Sequence, residues 1–170
     1  MTEQFHFFVE PLGSKRDRTT FSCGNATLDN YFRNHVGQDQ AKGVAAAFLL
    51  IDADSNRIAG FYTLSAATII VSDLPIDLGK KLPKYPNLPA TLIGRLAIDL
   101  RYKGKKLGEY LLMDALRASF QAASRVGSVA VIVDAKDERS KQFYLKFGFV
   151  PLADLPLRLF IPMKTISTLF

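Results

Sequence analysis

A chain of 170 residues, 48% hydrophobic and 22% charged, can close one sizeable core and is too apolar to be disordered. Its one cysteine, Cys23, excludes an internal disulfide and a Cys2His2-type zinc site and points to a reducing compartment. The net charge of +6 favours an anionic partner such as nucleic acid, a nucleotide cofactor or an acidic protein.

No run approaches the roughly 18 apolar residues of a membrane span. The opening MTEQFHFFVEPLGS lacks the basic and apolar regions of a signal peptide, so a cytoplasmic protein is expected. FHFFVEPL, Phe5–Leu12, reads as a first strand stopped near Pro11, and KRDRTTFSCGNATL as a polar loop. Leu28, Tyr31, Phe32, His35 and Val36 recur at three- and four-residue spacing, which predicts an amphipathic helix capped by Asn25 or Thr27. Gly37 and Gly43 bracket a short polar segment, QDQAK.

Val44–Asp52 and Ile58–Val71 are apolar strands joined by the turn ADSNR, a hairpin. Ser72–Pro89 holds four prolines and no clean period, so it reads as a loop with room for a short helical turn. ATLIGRLAIDL is a strand. KKLGEYLLMDALRASFQAASRVG is a helix with a broad apolar face, ended by Gly127. SVAVIVDA is continuously apolar, as in a strand buried on both faces. KDERSKQFYLKFGFV is a second helix whose buried face is set by Phe143 and Phe147, with Gly148 past its end. LPLRLFIPMKTI is a last strand. The order β–α–β–β–β–α–β–α–β predicts a single α/β domain over residues 1–170, a central mixed sheet flanked by helices.

Between the strand ending near Asp99 and the helix starting near Lys106, Arg101, Lys103, Lys105 and Lys106 place four positive charges in six residues, with Gly104 and Gly108 among them. A helix N-terminus already carries unpaired N–H groups and the positive end of the macrodipole. Crowding cations there is unfavourable unless an anion sits among them, and glycine lets that anion approach the backbone. A solvated lysine loop is the plain alternative. Neither the Walker A nor the Rossmann glycine pattern is met, which disfavours ATP and NAD.

The segment resembles motif A of the GNAT acetyltransferases, R/Q-x-x-G-x-G/A. Arg101 and Gly104 match; Lys106 stands where Gly or Ala is expected, either crowding a diphosphate or reaching around it as a counter-ion. FSCGNATLDNYFRNHVGQDQAKGVAAAFLLID, IAGFYTLSAATI, LIGRLAID and KQFYLKFGFVPL extend the resemblance from about Phe21 to Pro162 and look like the GNAT toxins that acetylate aminoacyl-tRNA. It implies the GNAT fold and an enzyme that uses acetyl-CoA as cosubstrate without metal. It also implies a toxin–antitoxin context, a ribbon-helix-helix antitoxin, a homodimer, and translation blocked by acetylation of the α-amine of aminoacyl-tRNA.

The resemblance assigns Leu96, Ala97 and Ile98 to the pantetheine arm and to polarising the thioester carbonyl. Lys103, Gly104, Lys105, Lys106, Leu107 and Gly108 would take the diphosphate, and Tyr144 would be the general acid. Independently, Tyr144 lies about 100° around its helix from Phe143, at the edge of the expected core. A phenol there can protonate a departing thiolate. Arg95 interrupts an apolar strand and orients substrate or CoA, or forms an ion pair with Asp99 or Asp134. No general base is evident; an α-amine of pKa about 8 needs little help, unlike a lysine side chain. His6 and His35 read as structural, and Cys23 has no catalytic partners. Lys80, Lys81 and Lys84, then Lys15, Arg16 and Arg18, then Lys136, Arg139, Lys141 and Lys146, form basic groups that could clamp tRNA phosphates or merely solubilise the surface. Two alternatives stay open: acetylation of a protein N-terminus or small amine, and a CoA-binding interaction module with weak catalysis.

Overall fold

The computed structural model describes residues 6–13 and 15–170. Phe5, the first residue of the expected opening strand, lies outside them, as do Met1–Gln4 of the segment read for a signal peptide.

Seven strands, β1 (Phe7–Pro11), β2 (Ala46–Asp52), β3 (Arg57–Ile70), β4 (Asn87–Ile98), β5 (Ala130–Asp134), β6 (Val150–Pro151) and β7 (Arg158–Pro162), form one sheet in the order β1-β2-β3-β4-β5-β7-β6. β1 and β3 run antiparallel to β2, β5 runs parallel to β4, and β7 runs antiparallel to both β5 and β6. This is the mixed α/β sheet expected. Its helices are α1 (Ala26–Asn34), α2 (Val36–Ala41), α3 (Ile76–Gly79), α4 (Leu107–Ala122), α5 (Glu138–Leu145) and α6 (Met163–Ile166).

Local chemistry explains most boundaries. Asn25 caps α1 by accepting the Leu28 N–H, and Asp137 caps α5 by accepting that of Ser140. The hairpin β2–β3 pairs Ala46 with Leu64 and Asp52 with Arg57, with a register shift at Leu50/Ile51.

Several segments differ from the sequence expectation, and α4 ends at Ala122 rather than at Gly127. QDQAK, which the sequence marks only as a short polar segment, lies largely in α2. Val36 is buried there, and the Gln40 amide donates to the Leu12 carbonyl and accepts from the Ala47 N–H, tertiary bonds that outweigh weak helix propensity. The last strand stops at Pro162; Met163 N–H turns to the Val129 carbonyl, and α6 buries Ile166. The short strand β6 has too little sequence to show a period.

The chain forms two compact units. The first comprises residues 1–65 and 95–115, the second residues 66–94 and 116–170. The first is built on Phe21, Phe32 and Phe61, with Phe32 and Phe61 stacked at 4.2 Å, joined by Leu49, Ile51 and Ala97. Truncating one such ring to alanine costs about 3–5 kcal/mol. The second gathers Ile69, Leu74, Ala90, Ile132, Leu152 and Phe160.

Candidate active site

In the first unit, the end of β4 is held tightly against β3. Gly60 of β3 leaves no room for a side chain: a Cβ there would lie 2.7 Å from the Ala97 carbonyl oxygen and 2.7 Å from Ile98 Cδ1. A glycine inside a strand is the sequence sign of such close backbone approach. Leu96 and Ile98 are half-buried beside buried Ala97, and the next N–H, of Asp99, donates to the Ala59 carbonyl at 2.8 Å.

Asp99, 1% exposed, organises the turn that follows. Its carboxylate accepts from the N–H groups of Ser22 and Arg101 and, bidentately, from the Arg101 guanidinium at 3.0 and 3.1 Å. Burial opposes its ionisation, but these hydrogen bonds outweigh burial and hold its pKa below the usual carboxylate range. Arg101 is therefore part of the frame, bound also to the Thr20 carbonyl. The four free charges expected of the loop reduce to three. Tyr102, buried on the next position, donates to Asp52 at the end of β2 at 2.7 Å. These tethers escaped the sequence reading because Ser22 and Asp52 lie 77 and 50 residues away from their partners.

The framed turn delivers Lys103, Gly104, Lys105 and Lys106 to the surface, all exposed, and Leu107 into the core at the head of α4. Gly104 has φ +82° and Lys106 φ +59°, with Lys105 between them at ordinary negative φ. Alternating signs turn successive N–H groups to one side, an anion-binding nest. A left-handed lysine costs about 1–2 kcal/mol, and such strain concentrates at functional sites. Lys106 thus adopts the backbone conformation a glycine would take, and its side chain stands in solvent. Nothing lies within 4 Å of a Cβ built on Gly104, and of the exposed lysines beside it Lys105 has its ammonium 5.7 Å from the centroid of the Tyr102 ring.

Arg95, in the same unit, pairs with neither carboxylate expected for it, since Asp99 holds Arg101 and Asp134 holds Arg158. Its guanidinium lies over the Tyr31 ring of α1, 3.5 Å from the centroid, an interaction of about 1–2 kcal/mol where partly desolvated.

The second unit carries Tyr144, Lys80, Lys81 and Lys84. Tyr144 is 9% exposed, whereas Phe143 and Phe147 are only half-buried, so the buried face of α5 is centred on Tyr144 and not on the two phenylalanines. The reason is the helix end. Phe149 N–H donates to the Tyr144 carbonyl and Gly148 N–H, at φ +94°, to that of Leu145, the paired bonds of a Schellman turn. That turn folds Phe149 onto the Tyr144 ring at 5.4 Å, while Phe143 packs at 5.2 Å. Burial pushes the phenol pKa up to about 12. Its hydroxyl has no hydrogen-bond partner among the described residues and is not sealed from solvent. The ring is clamped and its O–H stays protonated near neutral pH, able to donate a hydrogen bond, while burial makes it a weaker acid than a free phenol.

Lys80, Lys81 and Lys84 are exposed around the end of α3. The group at 15–18 is not a free clamp: Arg16 is paired with Glu10 at 2.7 Å, and Arg18 donates to the Phe32 carbonyl. His6 Nδ1 lies 2.6 Å from an Asp54 carboxylate oxygen, and His35 is exposed at the α1–α2 junction, so neither is a buried core histidine. Among the described residues no cluster of His, Cys, Asp and Glu could hold a metal ion, and no helix is long and apolar enough to cross a membrane.

Residues 88–164 match the family described as acetyltransferase (GNAT) domain. A probable toxin TacT of Sinorhizobium fredii is 31% identical over 169 residues, 95% of this chain and 93% of the relative. The crystal structure of a tyrosine-to-phenylalanine mutant of KacT superposes with a TM-score of 0.91 at 32% identity, covering 98% of this chain and all of that one. AtaT complexed with acetyl-methionyl-tRNAfMet superposes with a TM-score of 0.88 at 30% identity over 96% of this chain and 99% of that one. Matched along nearly its whole length by sequence and by fold, the chain belongs to the GNAT acetyltransferase family.

Proposed function

We propose that the protein is a toxin N-acetyltransferase that moves the acetyl group of acetyl-CoA to the α-amine of an aminoacyl-tRNA and so blocks translation in the cytoplasm. The observation that carries the reading is the loop at the head of α4, where alternating φ signs at Gly104–Lys106 and three exposed lysines form a nest suited to a diphosphate. Relatives that are toxins, one solved with an acetylated aminoacyl-tRNA, supply the acceptor class.

In this reading Lys103, Gly104, Lys105 and Lys106, with the first-turn N–H groups at Leu107 and Gly108, hold the diphosphate. Backbone groups of Leu96, Ala97 and Ile98 hold the pantetheine arm and polarise the thioester carbonyl. The acceptor amine, with a large free-base fraction near neutral pH, forms the new C–N bond as the C–S bond breaks. Tyr144 gives its hydroxyl proton to the departing sulfur and recovers one from solvent, while the nitrogen releases its extra proton to water. Lys80, Lys81 and Lys84 meet tRNA phosphates and Arg95 orients the acceptor. The chain works as one GNAT domain, assembles as a homodimer and is neutralised by a ribbon-helix-helix antitoxin.

The test is transfer of labelled acetyl from acetyl-CoA to a mixture of aminoacyl-tRNAs and free peptides. Label that precipitates with the RNA and is lost on RNase treatment supports the reading. Label in peptides alone replaces it with N-terminal acetylation, and no transfer despite acetyl-CoA binding replaces it with a binding module.

A further inference from the structure

Arg95 is a cation in need of an anion. It sits half-buried near the C-terminal end of β4, and among the described residues no carboxylate lies within ion-pair distance and no acceptor takes its N–H groups. Its guanidinium is instead laid flat on Tyr31, 3.5 Å from the ring centroid, and Tyr31 is itself pinned, buried, by its hydroxyl donating to Asp39 at 2.9 Å. Stacking fixes the plane of the guanidinium without satisfying any of its five N–H donors, the arrangement that suits a bidentate phosphate.

Chain order says whose phosphate it is. The diphosphate nest begins beyond Ile98, and Arg95 lies three residues back along the strand, about 10 Å at 3.3 Å per residue. Acetyl-CoA laid with its diphosphate in the nest and its arm along Leu96–Ile98 points its acetyl end toward Arg95. That end carries no phosphate; the 3′-phosphate lies beyond the diphosphate, on the far side. An anion reaching Arg95 therefore comes with the acceptor.

We infer that Arg95, held in plane by Tyr31, binds a backbone phosphate of the acceptor RNA and fixes the aminoacyl end at the acetyl group, with Tyr31 as its positioning residue. The inference rests on the aminoacyl-tRNA reading above. It adds a residue pair, drawn from β4 and α1, that determines how the acceptor is seated.

The test compares full-length wild type with Arg95→Gln, Tyr31→Leu and Tyr31→Phe. Acetylation of aminoacyl-tRNA is followed at several salt concentrations, and acetyl-CoA affinity by calorimetry. Arg95→Gln is expected to raise KM for aminoacyl-tRNA about tenfold and to reduce the log–log salt slope by about one, the loss of one phosphate contact, with acetyl-CoA affinity unchanged. Tyr31→Leu should reproduce that pattern in weaker form. Tyr31→Phe, which keeps the ring and loses only the Asp39 bond, should rescue it. If Tyr31→Leu does not fold, Arg95→Gln decides alone. An Arg95→Gln enzyme with wild-type KM and salt slope overturns the inference, as does a loss confined to acetyl-CoA affinity, which would assign the phosphate to CoA. A wild-type enzyme that acetylates no aminoacyl-tRNA overturns the functional reading and this inference with it, so the two failures are distinct.

Discussion

Replacing Gly60 by alanine should damage the strand proposed to carry the acetyl-CoA arm while touching no residue assigned to chemistry. The new methyl would stand 2.7 Å from Ala97 O, 2.7 Å from Ile98 Cδ1 and 3.3 Å from Leu111 Cδ2. The Ile98 methyl can rotate aside. The Ala97 carbonyl cannot, because it is backbone in a chain held two residues on by the Asp99 N–H, which donates to the Ala59 carbonyl. β3 and β4 must therefore part locally by about 0.5 Å, and overpacking of this kind costs about 1–3 kcal/mol. At about 2–4 °C per kcal/mol for a chain of this size, a 2 kcal/mol loss lowers Tm by about 4–8 °C. Because the displaced segment is Ala97–Ile98, acetyl-CoA Kd should rise as well, by about tenfold. Gly127→Ala is the control, since nothing lies within 4 Å of a Cβ there. Scanning calorimetry and isothermal titration read both effects. A Gly60→Ala protein that melts within 1 °C of wild type, against a 2 kcal/mol expectation, would refute the packing argument. One that is destabilised yet binds acetyl-CoA normally would refute the role of the strand.

Tyr144→Phe should keep acetyl-CoA affinity and lower turnover about a hundredfold or more, since only the proton donor is removed and the ring contacts with Phe143 and Phe149 persist; wild-type kcat would exclude Tyr144 from the mechanism. Burial holds the phenol neutral up to about pH 12 against about 10 in the unfolded chain. The associated stability, about 2–3 kcal/mol, is complete below pH 10 and is lost as pH rises through 12. Urea unfolding should show wild type losing ground to Tyr144→Phe over that interval, and a constant gap would contradict the burial argument. Lys106→Gly relieves a left-handed lysine, whereas Lys105→Gly at negative φ only loosens the unfolded chain. The first should be the more stable variant by about 1 kcal/mol, and equal melting of the two would show that φ +59° carries no strain.

Much of this protein follows from local pattern. Asn25 and Asp137 stand one residue before their helices and supply the caps themselves. The apolar run at Ala130–Asp134 becomes a strand between β4 and β7 whose first four side chains are all buried, because a strand covered on both faces of the sheet has no side chain left for water. The crowding of Lys103, Lys105 and Lys106 was legible because adjacent charges must be adjacent in any fold. The family resemblance, resting on Arg101, Gly104 and the segments around them, was legible for the same reason.

What the chain order does not encode is which groups meet across distance. Arg101 carries the same formal charge as its lysine neighbours, but the buried carboxylate of Asp99, itself fixed by the Ser22 N–H, takes it out of the loop. Arg95 escapes Asp99 and Asp134 and lands on Tyr31, 64 positions earlier in the sequence. The buried face of α5 is decided by Phe149 folding back through the Gly148 turn, not by the helical spacing of Phe143 and Phe147. Periodicity and propensity are properties of neighbours along the chain. A charge or a ring finds its partner only after the strands and helices have packed, because desolvation decides which pairs are worth making and burial is set by the whole fold.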